Sequence, residues 1–235
     1  MTSSPTTASV EKKTRRREPR VRTHVWIRDF TYKLTQHSIT IVAKMFWRLR
    51  VIHKDRWPRD GGGLLCANHQ SFLDPPLIGS SCPQRMNYLA RKTLFDHPVF
   101  GWVIGWLEAI PLERDGLGIG GLKEALRRLQ GGELVLIFPE GTRSEDGELQ
   151  PLQPGFCALA RRGRVPIIPV AIDGPFKVWP RHQKWPGRAP ITIAVGEAIS
   201  VETIKELSDE QLVERVAVGI RQAFEEARAS LGGAV

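Results

Sequence analysis

The chain has 235 residues, 41% of them hydrophobic, which is enough for one sizeable core and gives no boundary that asks for two domains. It carries a net charge of +9, but the excess is local: residues 1–60 hold 15 Lys and Arg against 5 Asp and Glu, and the rest hold 19 against 20. A near-neutral main body is not a nucleic-acid footprint, so nucleic acid is not an expected partner.

In chain order, residues 1–22 are dominated by Ser, Thr, Pro and Arg and read as a disordered basic tail. Residues 23–60 read as an amphipathic helical segment. On a helical wheel Ile27, Phe30, Leu34, Ile41, Val42, Met45 and Leu49 share one side, with Asp29, Lys33, Gln36 and Lys44 opposite. That pattern suits a helix lying in a membrane interface, with Trp26 and Trp47 near headgroup depth, or one packed on the domain. Lys33 and Lys44 interrupt any span of ~20 apolar residues, so no transmembrane helix is expected, and no secretory signal is evident. From residue 61 onward strands and helices alternate. Strands are predicted at 63–67, 86–90, 107–112, 133–138, 165–172 and 190–195, and helices at 72–80, 118–130, 155–162 and 208–231. The last helix has Ser208 as N-cap and Gln211 three residues on, a capping box. Alternation of this kind predicts an α/β fold, a largely parallel sheet flanked by helices, with functional loops at strand ends.

Two segments carry chemistry. Asn68-His69-Gln70-Ser71-Phe72-Leu73-Asp74 follows the apolar run 63–67 and places a base and a carboxylate five positions apart, ahead of Pro75-Pro76. A histidine at a strand end with a carboxylate in reach has one ring nitrogen oriented and the other left as a base; a helix-capping histidine fits the same segment. Spacing alone is weak, because His24 and Asp29 share it within the basic stretch and are assigned no chemistry. The second segment, Phe138-Pro139-Glu140-Gly141-Thr142-Arg143-Ser144, ends an apolar strand with a glycine turn, a hydroxyl and a forked cation, groups suited to phosphate oxygens. Cys66, Cys82 and Cys157 have no metal-ligand spacing and read as reduced core residues.

Together the two segments resemble the glycerolipid acyltransferases with the HX4D motif, the 1-acylglycerol-3-phosphate O-acyltransferase (lysophosphatidic acid acyltransferase) family. Ile110-Pro111-Leu112-Glu113-Arg114 and Val165-Pro166-Ile167-Ile168-Pro169-Val170 resemble two further blocks of that family, in the same order. The resemblance spans about residues 64–199, within a predicted acyltransferase domain of 61–235. It implies that His69, oriented by Asp74, deprotonates the free hydroxyl of a lysophospholipid. The acceptor is expected to be 1-acyl-glycerol-3-phosphate and the product phosphatidic acid. The donor would be acyl carrier protein or acyl coenzyme A, with no cofactor or metal. It further implies acceptor binding by Arg114, Glu140, Gly141, Thr142 and Arg143, with Lys92 as an additional contact. A peripheral position on the cytoplasmic face of a membrane is expected. Gln153 stands where the family often has a basic residue, which removes one possible phosphate or carrier contact and leaves another lysolipid acceptor open. A phosphoester hydrolase would want a metal or nucleophile cluster that the sequence lacks. A non-catalytic anionic-lipid-binding module remains a further reading.

Overall fold

The computed structural model describes residues 22–91, 109–112 and 119–232. Helix α1 (Arg22–Trp47) leads into β1 (Arg50–Ile52). The chain then runs through β2 (Gly63–Ala67), α2 (Asp74–Ser81), β3 (Met86–Arg91), β4 (Ala109–Leu112), α3 (Ile119–Gln130) and β5 (Leu134–Ile137). It finishes with α4 (Gly155–Gly163), β6 (Ile167–Asp173), α5 (Pro175–Val178), β7 (Thr192–Val195), α6 (Val201–Glu206) and α7 (Asp209–Gly232). The seven strands form one sheet in the order β1-β7-β6-β2-β5-β3-β4. β4, β3, β5, β2 and β6 are parallel to one another; β7 runs antiparallel to β6, and β1 is parallel to β7. The α/β fold with a largely parallel sheet is therefore as the sequence predicts.

Strand β2 shows why these apolar runs become central strands. All five of its residues are buried, and successive side chains alternate between faces. Leu65 and Ala67 join the cluster with Leu77 and Ile78 of α2 and Ala43 of α1. Leu64 and Cys66 point the other way, into the cluster with Leu129 of α3, Phe156 of α4, and Leu212, Val216 and Ile220 of α7. The capping box at the start of α7 forms reciprocally: Ser208 N–H donates to Gln211 Oε1 (2.8 Å) and Gln211 N–H to Ser208 Oγ (3.2 Å).

The predicted ends of the strands and helices after residue 60 hold to within two residues, but among the described residues four short elements are not predicted: β1, a 3-10 turn at Lys54–Arg56, α5 and α6. β1 also corrects the boundary drawn at residue 60. Arg50, Val51 and Ile52 pair with Thr192, Ile193 and Ala194, so residues 50–52 belong to the sheet. Three residues with one exposed end are too short for a periodicity signal. The predicted tail at 1–22 lies, up to residue 21, outside the described residues.

Helix α1 packs by its polar side. Gln36 Nε2 donates to the carbonyls of Gly79 and Cys82, both at 2.8 Å, and Thr40 Oγ1 to Ser80 O at 3.1 Å. Tyr32 and Ala43 are buried on the same side. The carbonyls at the end of α2 need donors, and Gln36 and Thr40 provide them. Phe30 (68% exposed), Leu34, Ile41, Val42, Met45 (72%) and Phe46 are left facing outward. Among the described side chains of the predicted stripe only Leu49 is buried, since the helix has ended and the chain has turned into the core. No described helix is long and apolar enough to cross a membrane.

Candidate acyl-transfer site

β2 and β5 are neighbouring parallel strands, with Cys66 opposite Ile137. The loops that leave their C-terminal ends must therefore emerge side by side at one edge of the sheet, which is how the two sequence segments meet. Two main-chain links lock them: Ser144 N–H donates to His69 O at 2.7 Å, and His69 N–H to Glu140 Oε2 at 3.3 Å.

His69 Nδ1 lies 2.7 Å from Asp74 Oδ2. That oxygen also accepts the backbone N–H of Gln70 (2.6 Å) and Ser71 (2.7 Å), so the carboxylate sits in a cradle made by its own turn. Asp74 opens α2 and is fully buried, with Pro75 and Pro76 in the first turn, where their missing N–H groups cost nothing. A carboxylate only accepts, so Nδ1 carries the proton and Nε2 has its lone pair available. The imidazole remains 18% exposed and lies nearly parallel to the Phe138 ring, centroids 4.0 Å apart. The orientation of the imidazole is thus set from one side by a carboxylate and from one face by an aromatic ring.

Three polar side chains beside the histidine brace this turn from inside. Asn68 Nδ2 donates to Ile172 O (2.9 Å) while its Oδ1 accepts from Ile172 N–H (2.8 Å), imitating a strand neighbour. Gln70 Nε2 donates to Gly147 O (2.6 Å), and its Oε1 accepts from Phe176 N–H. Ser71 Oγ donates to Trp179 O at 2.8 Å. Their supporting role was not read from the sequence. Its signal was there, as polar residues directly following a wholly apolar strand.

In the second loop Phe138 O accepts from Gly141 N–H (3.0 Å), and Gly141 has φ +74°, which a side chain resists. Gly141 and Thr142 are exposed. The Arg143 guanidinium lies 3.6 Å over the Phe72 ring, so one loop's cation is held by the other loop's aromatic. Glu140, expected to contact substrate, is instead turned inward and buried, where it supports the His69 main chain. Burial pushes its carboxyl up to about 8 against the pull of Gln150 and His69 backbone donors, and the nearby Asp74 adds to the rise. Gln153 is exposed beside Gly141, and its N–H donates to Pro139 O at 2.8 Å. Lys92 and Arg114 lie outside the described residues; the strands that precede them, β3 and β4, end at the same edge as β2 and β5. All three cysteines are buried. Burial holds Cys66 well above the usual thiol range and pushes Cys82 up to about 12 and Cys157 up to about 11, so they are protonated at neutral pH.

Known proteins resemble this chain. The crystal structure of the 1-acyl-sn-glycerophosphate acyltransferase PlsC from Thermotoga maritima matches with a TM-score of 0.76 and 26% identity, over 88% of this chain and 84% of that one. A 1-acyl-sn-glycerol-3-phosphate acyltransferase of Bacillus subtilis is 29% identical over 145 residues, 61% of this chain and 72% of its own. One of Cocos nucifera is 31% identical over 183 residues, 77% of this chain and 56% of its own. The model of the Acyltransferase family matches residues 48–173. That stretch runs from the turn after α1 to the last residue of β6 and so holds the five parallel strands together with both loops that meet at their edge; the chain belongs to the Acyltransferase family.

Proposed function

We propose that the protein transfers a fatty acyl group from a thioester carrier to the free hydroxyl of 1-acyl-glycerol-3-phosphate, giving phosphatidic acid. The observation that carries this reading is the 2.7 Å contact between His69 Nδ1 and Asp74 Oδ2, which leaves Nε2 as a base beside the Gly141-Thr142-Arg143 loop. Nε2 takes the proton of the acceptor hydroxyl as its oxygen bonds to the thioester carbonyl carbon. The carbonyl pair moves onto oxygen, then re-forms the C=O bond and expels the thiolate, which takes the proton from the imidazolium. Products are an ester and a free thiol. The protonated, buried cysteines favour direct transfer over an acyl-enzyme.

Arg143 and the exposed Gly141-Thr142 turn, with Arg114 and Lys92, hold the acceptor phosphate. The relatives' names support this acceptor. Acyl carrier protein and acyl coenzyme A present the same thioester and both suit the mechanism. The outward apolar face of α1 supports a peripheral position on a membrane, at its cytoplasmic face, where an amphiphilic acceptor is met without full extraction into water.

The test is a matrix of acyl-CoA and acyl-carrier donors against lysolipid acceptors. Lysophosphatidate is expected to be the best acceptor, and His69→Ala to lower transfer by ~10²–10⁴-fold with the fold intact. A different preferred headgroup would reassign the acceptor. Release of phosphate without ester formation would replace transfer by hydrolysis.

A further inference from the structure

Residues 179–190, which join α5 to β7, present a tryptophan to solvent. Trp185 is 73% exposed, although an indole normally buries most of its surface or reaches an interface between apolar and polar media. Around it Arg181, Lys184 and Arg188 are all exposed, and residues 174–196 contain no Asp or Glu. The loop is nevertheless held in shape. Gly187 N–H donates to Val178 O (2.7 Å), Gln183 N–H to Pro180 O (3.1 Å), and Trp179 Nε1 to Gln183 O (3.0 Å).

Its neighbour is the C-terminal end of α1. Trp47 Nε1 donates to Gly187 O at 3.0 Å, and the Arg188 guanidinium stands 5.3 Å over the Phe46 ring. Phe46 adjoins Met45, and both belong to the outward apolar face. A basic, aromatic loop thus continues an apolar helical face without a break.

We infer that this loop is a second membrane contact, which binds an anionic bilayer surface through Trp185 at headgroup depth and through Arg181, Lys184 and Arg188 at lipid phosphates. The inference rests on the peripheral reading of α1 and adds to it: the apolar face of one helix fixes the roll of the domain only loosely, whereas helix plus loop set one orientation. That orientation places the catalytic turn next to the bilayer. Ser71 Oγ holds Trp179 O at the start of the loop, and the Trp179 ring meets Phe72 edge-on at 6.4 Å. An acidic carrier protein would also satisfy the cations, but it would leave Trp185 and the adjoining Met45 and Phe46 without an apolar medium.

The full chain is mixed with vesicles of mixed phosphatidylcholine and phosphatidylglycerol whose acyl chains are brominated, and tryptophan quenching is compared with that of Trp185→Phe. The wild type is expected to lose a component of emission that the variant lacks. Arg181→Gln with Lys184→Gln should weaken vesicle binding by roughly thirty-fold at low salt, and much less at high salt. Turnover of a short-chain, monomeric acceptor should be unchanged in both variants. Equal quenching of vesicle-bound wild type and Trp185→Phe would overturn the loop contact while leaving α1 as the anchor. Failure of the full chain to bind vesicles at all would overturn both readings. A raised KM for the acyl-carrier donor with vesicle binding unchanged would assign the loop to the carrier protein and overturn the inference.

Discussion

A single oxygen, Asp74 Oδ2, holds the His69 turn together, since it accepts from His69 Nδ1 and from two main-chain donors of the same turn. Glu140 lies close by and serves differently. Its buried carboxyl has a folded-state pKa of about 8, above its unfolded value, so between about 4.5 and 8 the folded state binds the extra proton. Stability is therefore expected to fall as pH rises through that window, and to change little more above it. Glu140→Gln keeps the acceptor for His69 N–H but cannot ionise. Its denaturation midpoint should vary less than the wild type's between pH 5 and 8. Identical pH profiles for the two proteins would mean that Glu140 ionises normally in its buried site.

Among the described elements, α5 is a helix of only four residues that ties the second half of the sheet to the His69 turn. Its N-cap, Gly174, has φ +109°, and an added Cβ would come within 2.2 Å of Pro190 O. That contact is with backbone and offers no side chain to move aside. Gly174→Ala should therefore destabilise the fold by at least about 1–3 kcal/mol. Because α5 delivers Trp179 to Ser71, the same change should reduce transfer in the protein that still folds. Thermal denaturation and specific activity, measured together, check both effects. A variant with unchanged Tm would show that the β6–α5 turn opens at little cost.

For the molecule as a whole, one edge of the sheet carries the candidate site. The loops after β2, β5 and β6 meet there, and the C-terminus of α1 enters at the same edge, because β1 and β7 run opposite to the other five strands. Truncating α1 would remove Ala43 from the core, together with Ile39 and Trp47 packed against it, so its outer face is better tested by substitution. Ile41→Glu with Met45→Glu alters side chains that touch solvent and should leave Tm nearly unchanged. It should weaken liposome binding by several kcal/mol, at about 2 kcal/mol for each apolar side chain no longer inserted. Sedimentation with liposomes decides it, and undiminished binding would leave α1 as a packing element only.

The sequence by itself determined the central strands, the long helices and the two loops that carry His69 and Arg143. Those features are local: an apolar run such as 63–67, a capping box at Ser208, and a polar cluster that follows a strand are each complete within a few residues. Tertiary structure decided the rest. Gln36 and Thr40 look like the solvent face of an amphipathic helix, yet they pack inward because the carbonyls ending α2 lie against them, from residues about forty positions away. Arg50–Ile52 becomes a strand only because β7 offers an edge to pair with. Glu140 turns inward because the His69 main chain, 71 residues earlier, needs an acceptor. In each case a distant donor or acceptor outweighs the local pattern, since a buried polar group left unpaired costs more than hydrophobic periodicity gains.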